Sequence, residues 1–454
     1  MAWLKTFGAG DAVNWKTNLF ALWLSQFLSL SAFSFSIPFV ALYIKNEGIV
    51  PTDDVSFWSG VFNAAASVSL MIMSPIWGAM GDRYGRKMML VRANLGGAFA
   101  LYLMGVVDSI EALIVLRFFQ GAFTGTTPAA QALVSSATPE RNQGFALGVL
   151  MAAVNAGNMA GFYFGGMCAK YYGPAVSFKI SGFLLLASAI LVVVAVREDF
   201  VRPVLLPTSN TRSARIRRRR ESITNFMTGL PLFLCIGYVA YVQSYDGPYL
   251  SLYVDHLYRA GLGAAQLADD KAVISEVYGL TGNLSLLASI GAMIGSVVVG
   301  VVMDRKLPEW IWAAVGALSG AGILWIYLSE TLLSVALGRS LFLFFISGLA
   351  SALVVVLNRM TPSSKRGAAM GATVSARAVG WMLAPISGAL LSQKAGWNIA
   401  YGVLFILCVL LIPFMHYLVR RYTSAFNPDI DDPPSIGSVG KSHISAPSGQ
   451  GRVL

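Results

Sequence analysis

The sequence has little charge and few cysteines or histidines for its length. Its 454 residues include 33 Lys and Arg and 22 Asp and Glu, so only 12% of the chain is charged, whereas 56% is hydrophobic. A soluble domain of this size carries about twice that charged fraction. This composition excludes an ordinary soluble protein and predicts an integral membrane protein that crosses the bilayer many times.

The rare reactive residues form no recognisable catalytic or metal-binding pattern. The three cysteines lie in apolar stretches, as small buried hydrophobes do, and imply no disulfide framework. The three histidines are scattered, without a cysteine at metal-ligand spacing. The phosphate-binding pattern GxxxxGK[ST] is missing as well, which argues against direct ATP drive. We therefore expect that the protein is not an enzyme and that it binds neither a metal nor another cofactor.

Long apolar runs dominate what is present, and the mean hydropathy is +0.64. Each run is long enough for the ~20 residues with which a helix crosses the hydrocarbon. The runs predict an all-α integral membrane fold of twelve transmembrane helices in two groups of six. They lie near residues 18–44, 56–80, 88–107, 110–134, 143–168, 176–196, 228–254, 278–303, 309–329, 331–357, 367–392 and 398–419.

Positive charge is distributed unequally over the two sides of this topology. With the N-terminus inside, 24 of the 33 Lys and Arg fall on inner segments, six on outer segments and three within spans. Because cytoplasmic loops of membrane proteins are enriched in Lys and Arg, both termini are predicted to face the cytoplasm. The expected location is the cell membrane, either bacterial inner or plasma membrane.

Two polar segments divide the chain. We predict an N-terminal half at 1–196, a basic cytoplasmic linker at 197–227, a C-terminal half at 228–421 and a disordered cytoplasmic tail at 422–454. The linker carries eight Arg, four of them consecutive at 217–220. In a protein tethered to the membrane, contact with anionic lipid is a better interpretation of such a stretch than nucleic-acid binding.

The two halves repeat one another in order. Gly78, Asp82 and Arg83 recur as Gly300, Asp304 and Arg305, and Arg117 recurs as Arg339, all at a shift of 222 residues. Gly148 and Gly157 recur as Gly371 and Gly380 at a shift of 223, and the Pro38-xxx-Leu42-Tyr43 pattern returns as Pro248-xxx-Leu252-Tyr253. Two parallel six-helix units imply alternating access, with a cavity between them near the membrane midplane.

Three motifs complete a resemblance to a known family. The decapeptide GAMGDRYGRK, residues 78–87, resembles the loop 2–3 signature of the major facilitator superfamily, with Met80 and Gly81 as departures. Arg117, Gln120, Gly121 and Gly125 resemble a pattern of its proton-coupled members. Gly148, Gly157, Gly161, Gly165 and Gly166 resemble the helix 5 signature of its antiporter branch, although Phe162 replaces the proline of that signature.

The resemblance implies a twelve-helix drug:proton antiporter and a role for each motif. The loop residues Gly78, Asp82, Arg83, Gly85, Arg86 and Lys87 would form a conformational latch, in which Asp82 meets the start of helix 11 in the opposite half. The alternative is a basic turn that only sets the topology. The helix 5 glycines would act directly in helix packing, whether or not antiport depends on them.

Proton coupling is assigned to Asp246 and Arg117. Asp246 is the only acid more than about one turn inside a span, where it could take up a proton and exchange it for substrate. It could instead serve as the counter-ion of an arginine or lie exposed near the outer mouth. Arg117, which the resemblance ties to proton transfer, could equally form a structural ion pair or bind backbone carbonyls.

Aromatic and amide side chains on several spans are candidates for the substrate cavity, because they suit large lipophilic ligands. The candidates are Gln26, Phe33, Phe119, Asn155, Asn158, Tyr241, Tyr245 and Arg377. Arg377 is expected to face either the cavity or helix 10.

The sequence therefore predicts a monomeric proton-coupled exporter of small lipophilic compounds, a multidrug efflux protein. Two alternatives stay open. One is a transporter of the same fold for a physiological metabolite such as a sugar or lipid, and the other is a transport-dead membrane sensor.

Overall fold

The structure is a computed structural model that describes residues 14–139, 142–198, 229–303, 309–361 and 366–422. The predicted linker lies outside these ranges except for Arg197 and Glu198, as does the tail except for Tyr422. The helices of the first half are α1 Trp15–Ser36, α2 Val40–Asn46, α3 Val55–Tyr84, α4 Arg86–Met104, α5 Ile110–Phe123, α6 Thr126–Ala137, α7 Gln143–Tyr172 and α8 Pro174–Ala195.

The second half follows the same order. Its helices are α9 Gly229–Ser244, α10 Leu250–Ala260, the short α11 Ala264–Leu267, α12 Asp270–Met303, α13 Glu309–Tyr327, α14 Leu332–Met360, α15 Arg366–Ala395 and α16 Trp397–Arg421. All regular elements in the described ranges are helical.

Nine segments of the described chain are long and apolar enough to cross a membrane. Three further passes fall short of that measure for local reasons. Helix α4 contains Arg86, Lys87 and Arg92, whereas the passes α5–α6 and α9–α10 are each interrupted. Counted with the nine, these passes are consistent with the predicted twelve.

Interruptions correct three of the predicted continuous helices. The run at 110–134 ends one helix at Phe123 and starts another at Thr126, because Gly125 adopts φ +129°, which side-chain-bearing residues rarely take. The run at 228–254 breaks before Pro248, between α9 and α10. The first pass breaks at the equivalent Pro38, in a short 3₁₀ turn between α1 and α2.

The sequence repeat reappears as repeated helix contacts. A methyl group at Gly157 of α7 would lie 2.5 Å from Phe27 O of α1, and one at Gly380 of α15 would lie 2.3 Å from Gly237 O of α9. Phe27 and Gly237 are 210 residues apart, the same shift that relates Pro38 to Pro248. Gly165 and Gly388 likewise press against Phe35 O and Tyr245 O.

Four of the five helix 5 glycines lie against the backbone of a neighbouring helix. Gly157, Gly161 and Gly165 face the α1 backbone, and Gly166 faces Gly282 of α12. A Cβ atom at Gly148 would have no neighbouring atom within 4 Å, so this glycine does not take part in close packing. Helix α7 is continuous through Phe162, the residue that replaces the signature proline.

The two halves meet along two interfaces that are copies of each other. Gly60 of α3 faces Pro385 and Ala389 of α15, whereas Gly282 of α12 faces Phe162 and Gly166 of α7. Gly60 and Gly282 are 222 residues apart, and Pro385 and Ala389 each lie 223 residues after their counterparts Phe162 and Gly166. The chain thus forms two pseudo-symmetric six-helix halves, joined by α3–α15 and α7–α12.

Candidate functional site

The end of the bundle opposite the start of α1 and the end of α16, here called the distal end, is closed by an ion pair between the halves. Lys45 Nζ lies 2.5 Å from Asp255 Oδ2, with side chains 28% and 4% exposed. Lys45 and Asp255 are separated by the shift of 210 that relates α1–α2 to α9–α10. The repeat therefore places them at equivalent positions beside the pseudo-two-fold axis, where their opposite charges attract. Arg259 Nε binds the other Asp255 oxygen at 2.7 Å, within the second half.

Two further contacts flank the axis pair and are also related by the repeat. Lys170 Nζ of α7 lies 2.5 Å from Glu276 Oε1 of α12. At the equivalent positions, Gln393 of α15 donates to Asp53 O and approaches Asp54 Oδ1 at 3.5 Å, just before α3. Lys45–Asp255 and these two contacts are called the distal gate below.

Near the opposite end, which carries the start of α1 and the end of α16 and is called the terminal end, the same helices are less closely packed. A Cβ atom would have no neighbour within 4 Å at three glycines of this end, Gly78 of α3, Gly148 of α7 and Gly371 of α15. Gly60 and Gly166, nearer the distal end on α3 and α7, each meet backbone of the opposite half within about 3 Å. The described part of the chain is therefore closed distally and looser at the terminal end.

The decapeptide 78–87 is mostly helix rather than the predicted turn. Helix α3 continues to Tyr84, and α4 starts at Arg86, so that Gly85 alone makes the turn with φ +94°. The carboxylate of Glu198, just after α8, accepts from the backbone N–H groups of Arg86 and Lys87 at 2.8 Å each. An acid at this position neutralises the positive end of the α4 dipole and caps its free donors.

The described contacts of the loop lie within the first half. Arg86 NH1 donates to Ala132 O at 2.9 Å and Lys87 Nζ to Val193 O at 3.0 Å, both within the first half. Arg83 is exposed, 5.5 Å from the Tyr84 ring. In this conformation Arg86 and Lys87 therefore stabilise their own half rather than bridge to the other. The Asp82 side chain and residues 362–365 lie outside what the structure describes.

Asp246 is fully buried and forms a two-point ion pair. It is 1% exposed and lies at the break between α9 and α10. Arg339 of α14 donates from Nε to Oδ2 at 2.7 Å and from NH2 to Oδ1 at 3.2 Å. Asp246 is thus the counter-ion of an arginine in this conformation, which was one of its predicted alternatives, and it is not exposed at an outer mouth.

Arg117 has the same place in the first half but different partners. It is 8% exposed, donates from NH1 to Gln120 Oε1 at 2.7 Å, and lies 5.1 Å from the Phe62 ring of α3. Gln120 in turn donates to Thr124 Oγ1 at 2.9 Å, beside the break that separates α5 from α6. Arg117 Nε is buried without a hydrogen-bond partner. The structural ion pair predicted as one alternative is not formed with any described carboxylate.

Arg377 of α15 lies with its guanidinium 4.7 Å from the ring of Trp381, one turn further along the same helix. This cation–π contact partly stabilises the charge of Arg377, which lies well inside a span. The neighbouring Gly380 presses against α9, so this stretch of α15 borders α9.

Most of the predicted cavity residues take part in packing between helices of one half. Gln26 is fully buried and accepts from Thr127 Oγ1 at 3.2 Å, whereas Asn158 accepts from Ser34 Oγ at 2.8 Å. Asn155 is half-buried on α7. Of these amides, Asn155 and Asn158 share α7, which borders the opposite half.

The aromatic candidates are less favourable. Phe33 lies beside Gly97 of α4, inside the first half. Phe119 is 40% exposed. Its ring centroid lies 4.6 Å from that of Phe123 and 6.5 Å from that of the still more exposed Phe99. Both positions correct the prediction: Phe33 packs between helices of its own half, and Phe119 lies on the outer surface shared with α4.

The two tyrosine candidates pack together at the end of α9, Tyr241 within the helix and Tyr245 just after it. Tyr241 and Tyr245 rings lie 5.8 Å apart, and Tyr241 OH shares a hydrogen bond with Ser387 Oγ of α15 at 2.7 Å. Tyr245 is 1% exposed. Tyr241, half-buried between α9 and α15, is the better placed of the two to reach a cavity.

Sequence reasoning missed the distal gate and Glu198. Lys45 and Lys170 counted only as outer-loop cations, although the repeat shifts already aligned Lys45 with Asp255 and Glu276 with Asp54. Opposite charges at one repeated position, Lys45 and Asp255, were the signal that could have identified the axis pair.

Comparisons with known proteins agree with this architecture. A family model described as Major Facilitator Superfamily matches residues 22–269 and 262–445. The multidrug resistance protein MdtG of Rahnella sp. (strain Y9602) is 29% identical over 413 residues, which cover 91% of this chain and 96% of that protein. MdtG of Salmonella typhimurium is 29% identical over 391 residues, covering 86% and 92%.

Among solved structures, a bacterial homolog of the human lysosomal transporter Spinster, in an inward-facing and unoccupied conformation, superposes with a TM-score of 0.67. The sequences are 14% identical, and the match covers 92% of this chain and 99% of that one. At this identity the likeness concerns the fold. With the family model matched over nearly all of both repeated halves, the chain belongs to the Major Facilitator Superfamily, a family of multi-pass membrane transporters.

Proposed function

We propose that this protein is a proton-coupled secondary exporter of small lipophilic compounds that works by alternating access. The buried Asp246–Arg339 pair is the observation that carries the proposal. A carboxylate inside a span is costly to bury, and such residues usually have a function. The two copied interfaces between halves suit the rocking of one half against the other. The similarity to proteins named for multidrug resistance supports drugs as substrates.

We further propose that the protein acts as a monomer in the cell membrane with both termini in the cytoplasm. The fourfold excess of Lys and Arg on the segments at the terminal end supports this orientation. The distal gate then lies outside, and the structure is open toward the cytoplasm. The halves would be residues 1–196 and 228–421, and the basic linker 197–227 would lie on anionic lipid.

In this scheme Asp246 carries the proton. When the cavity faces the cytoplasm, its carboxylate would be held by Arg339 through the two hydrogen bonds described above. Protonation from outside would remove the charge that holds Arg339, and so change the contact between α9 and α14 as the halves move. Arg117, which pairs with no described carboxylate, would respond to the state of the cavity without holding the proton itself.

The latch would act at the opposite stage of the cycle. When the terminal end closes, α3 and α15 must approach where Gly78 and Gly371 now face open space. That movement would bring Asp82 toward the positive N-terminal end of α15. Arg86 and Lys87, bound to α6, α8 and Glu198, would hold the loop in position for this contact.

Asp246→Asn tests the proposal. A gradient of one pH unit coupled to one proton supports about tenfold accumulation of substrate. In proteoliposomes, we expect the variant to lose pH-driven accumulation while it retains exchange of labelled for unlabelled substrate. Glu330→Gln, which neutralises an exposed acid at the distal end, is the matched control and should keep both activities. Full pH-driven accumulation by Asp246→Asn would contradict the role of Asp246 as proton carrier.

A further inference from the structure

The equivalent arginines of the two halves differ in one respect that the repeat makes visible. Arg339 is neutralised by Asp246, which lies on the unwound stretch of the seventh pass. The shift of 210 that relates Pro38 to Pro248 and Phe35 to Tyr245 places Ser36 at the position of Asp246. The first half therefore keeps the cation and lacks the carboxylate.

The surroundings of Arg117 do not replace that carboxylate. The guanidinium has five N–H donors, and its one hydrogen bond in the described chain goes to the neutral amide oxygen of Gln120. Phe62 covers it at 5.1 Å, and Nε is buried without a partner. Ser36 is itself 1% exposed and bonds to Ser181 Oγ at 3.1 Å. A buried cation with so few partners is costly, and charges retained inside membranes usually mark a substrate or ion path.

The charge balance of the membrane interior points the same way. Arg117, Arg339 and Arg377 lie well inside spans, whereas Asp246 is the one acid found more than a turn inside any span. Since Asp246 is paired with Arg339, Arg117 and Arg377 remain without a described carboxylate, one in each half. Arg92, nearer the start of α4, also pairs with no described carboxylate and lies against the Trp77 ring. An interior with excess positive charge favours an anion over a cation.

We propose that Arg117 binds the anionic group of the transported molecule, so that the substrates include lipophilic carboxylates and related anions. The guanidinium fork matches a carboxylate in two-point geometry, as Arg339 already demonstrates with Asp246. The ligand is a substrate and not a lipid headgroup, because Arg117 is only 8% exposed, whereas its neighbours Phe118 and Phe119 on α5 are 44% and 40% exposed. This inference rests on the proposed export function and specifies its substrate class.

The test supplies Arg117 with an internal carboxylate at the repeat position. The probes are a fluorescent lipophilic carboxylate and its neutral methyl ester, which share one tail. For the purified protein in detergent, we expect Ser36→Asp to weaken carboxylate binding at least tenfold and to leave ester binding within twofold. Ser36→Asn, similar in size and neutral, is the matched control and should bind both probes as the unmodified protein does.

A second pair of variants keeps the test decisive if Ser36→Asp does not fold. Arg117→Gln should lose the preference for the carboxylate, and Arg117→Lys should retain part of it, because the charge survives without the fork. Equal affinity of the unmodified protein for carboxylate and ester would overturn the proposal, as would identical binding by Ser36→Asp and Ser36→Asn.

Transport of the ester separates this inference from the broader function. If a pH gradient drives efflux of the ester from proteoliposomes but the protein does not prefer the carboxylate, the anion site is wrong and the export function stands. If both probes bind with the expected preference but neither is exported, the anion site stands and the export function is wrong.

Discussion

Lys45→Met is expected to weaken closure of the distal gate by about 1.5 kcal/mol. Unit charges about 4 Å apart attract by about 4 kcal/mol at an effective dielectric constant of 20. Desolvation and the ordering of the lysine offset much of this, since Lys45 is 28% and Asp255 4% exposed. Asp255 keeps Arg259 at 2.7 Å, so the substitution leaves no buried charge unpaired. A change of 1.5 kcal/mol alters the ratio of closed to open molecules about tenfold.

The distance between two spin labels measures this ratio directly. Asp108→Cys and Gln266→Cys place one label on each half at exposed distal positions, in a background with the three buried native cysteines replaced by alanine. We expect Lys45→Met to move about a tenfold larger share of molecules to the longer distance. Arg259→Met is the matched control, because it removes a bond to the same carboxylate within one half and leaves Lys45–Asp255 intact.

Two results would refute this reasoning. If Lys45→Met leaves the distance distribution unchanged, the axis pair contributes nothing to closure, and the flanking contacts alone hold the distal end. If Arg259→Met opens the distal end as strongly as Lys45→Met, the effect comes from the folding of α10 and not from attraction between the halves.

Two further substitutions test packing and capping. Gly165→Ala places a methyl group about 2.2 Å from Phe35 O, so α1 and α7 must separate, and we expect a loss of about 2 kcal/mol of stability in thermal unfolding. Gly148→Ala meets no atom within 4 Å and should be neutral; an equal loss in both variants would contradict the packing role. Glu198→Gln should cost about 1 kcal/mol, because it removes the negative charge that caps α4. Glu111→Gln, at an exposed first turn, should change stability less, and an equal effect would count against the cap.

The membrane fold could be predicted from sequence because long apolar runs and a constant repeat shift each constrain the whole chain. The break at Gly125 was missed, since the apolar run continues through it and one positive φ leaves no mark on hydropathy. The single-residue turn at Gly85 was missed for a related reason. Charged residues can continue a helix beyond the hydrocarbon, so the charges at 82–87 do not locate its end.

The side-chain contacts could be predicted only where the repeat constrains them. Asp246 was identified as a buried acid with an arginine as one possible partner, but nothing local in the sequence selects Arg339, 93 residues away. Phe33 and Phe119 were misplaced, because an aromatic residue in a membrane helix has the same sequence signature whether it faces lipid, a cavity or a neighbouring helix.

Divergence between the repeats explains how a duplicated structure can close. On a pseudo-two-fold axis each residue meets its own copy, so identical charged residues would repel one another. Lys45 and Asp255 occupy one repeated position and carry opposite charges, so the two halves attract one another there. The same argument applies away from the axis: with Asp246 in one half and Ser36 in the other, two equivalent arginines have different hydrogen-bond partners. A transporter that exchanges a proton for a substrate needs such a difference, because two identical halves would bind the same ligand twice.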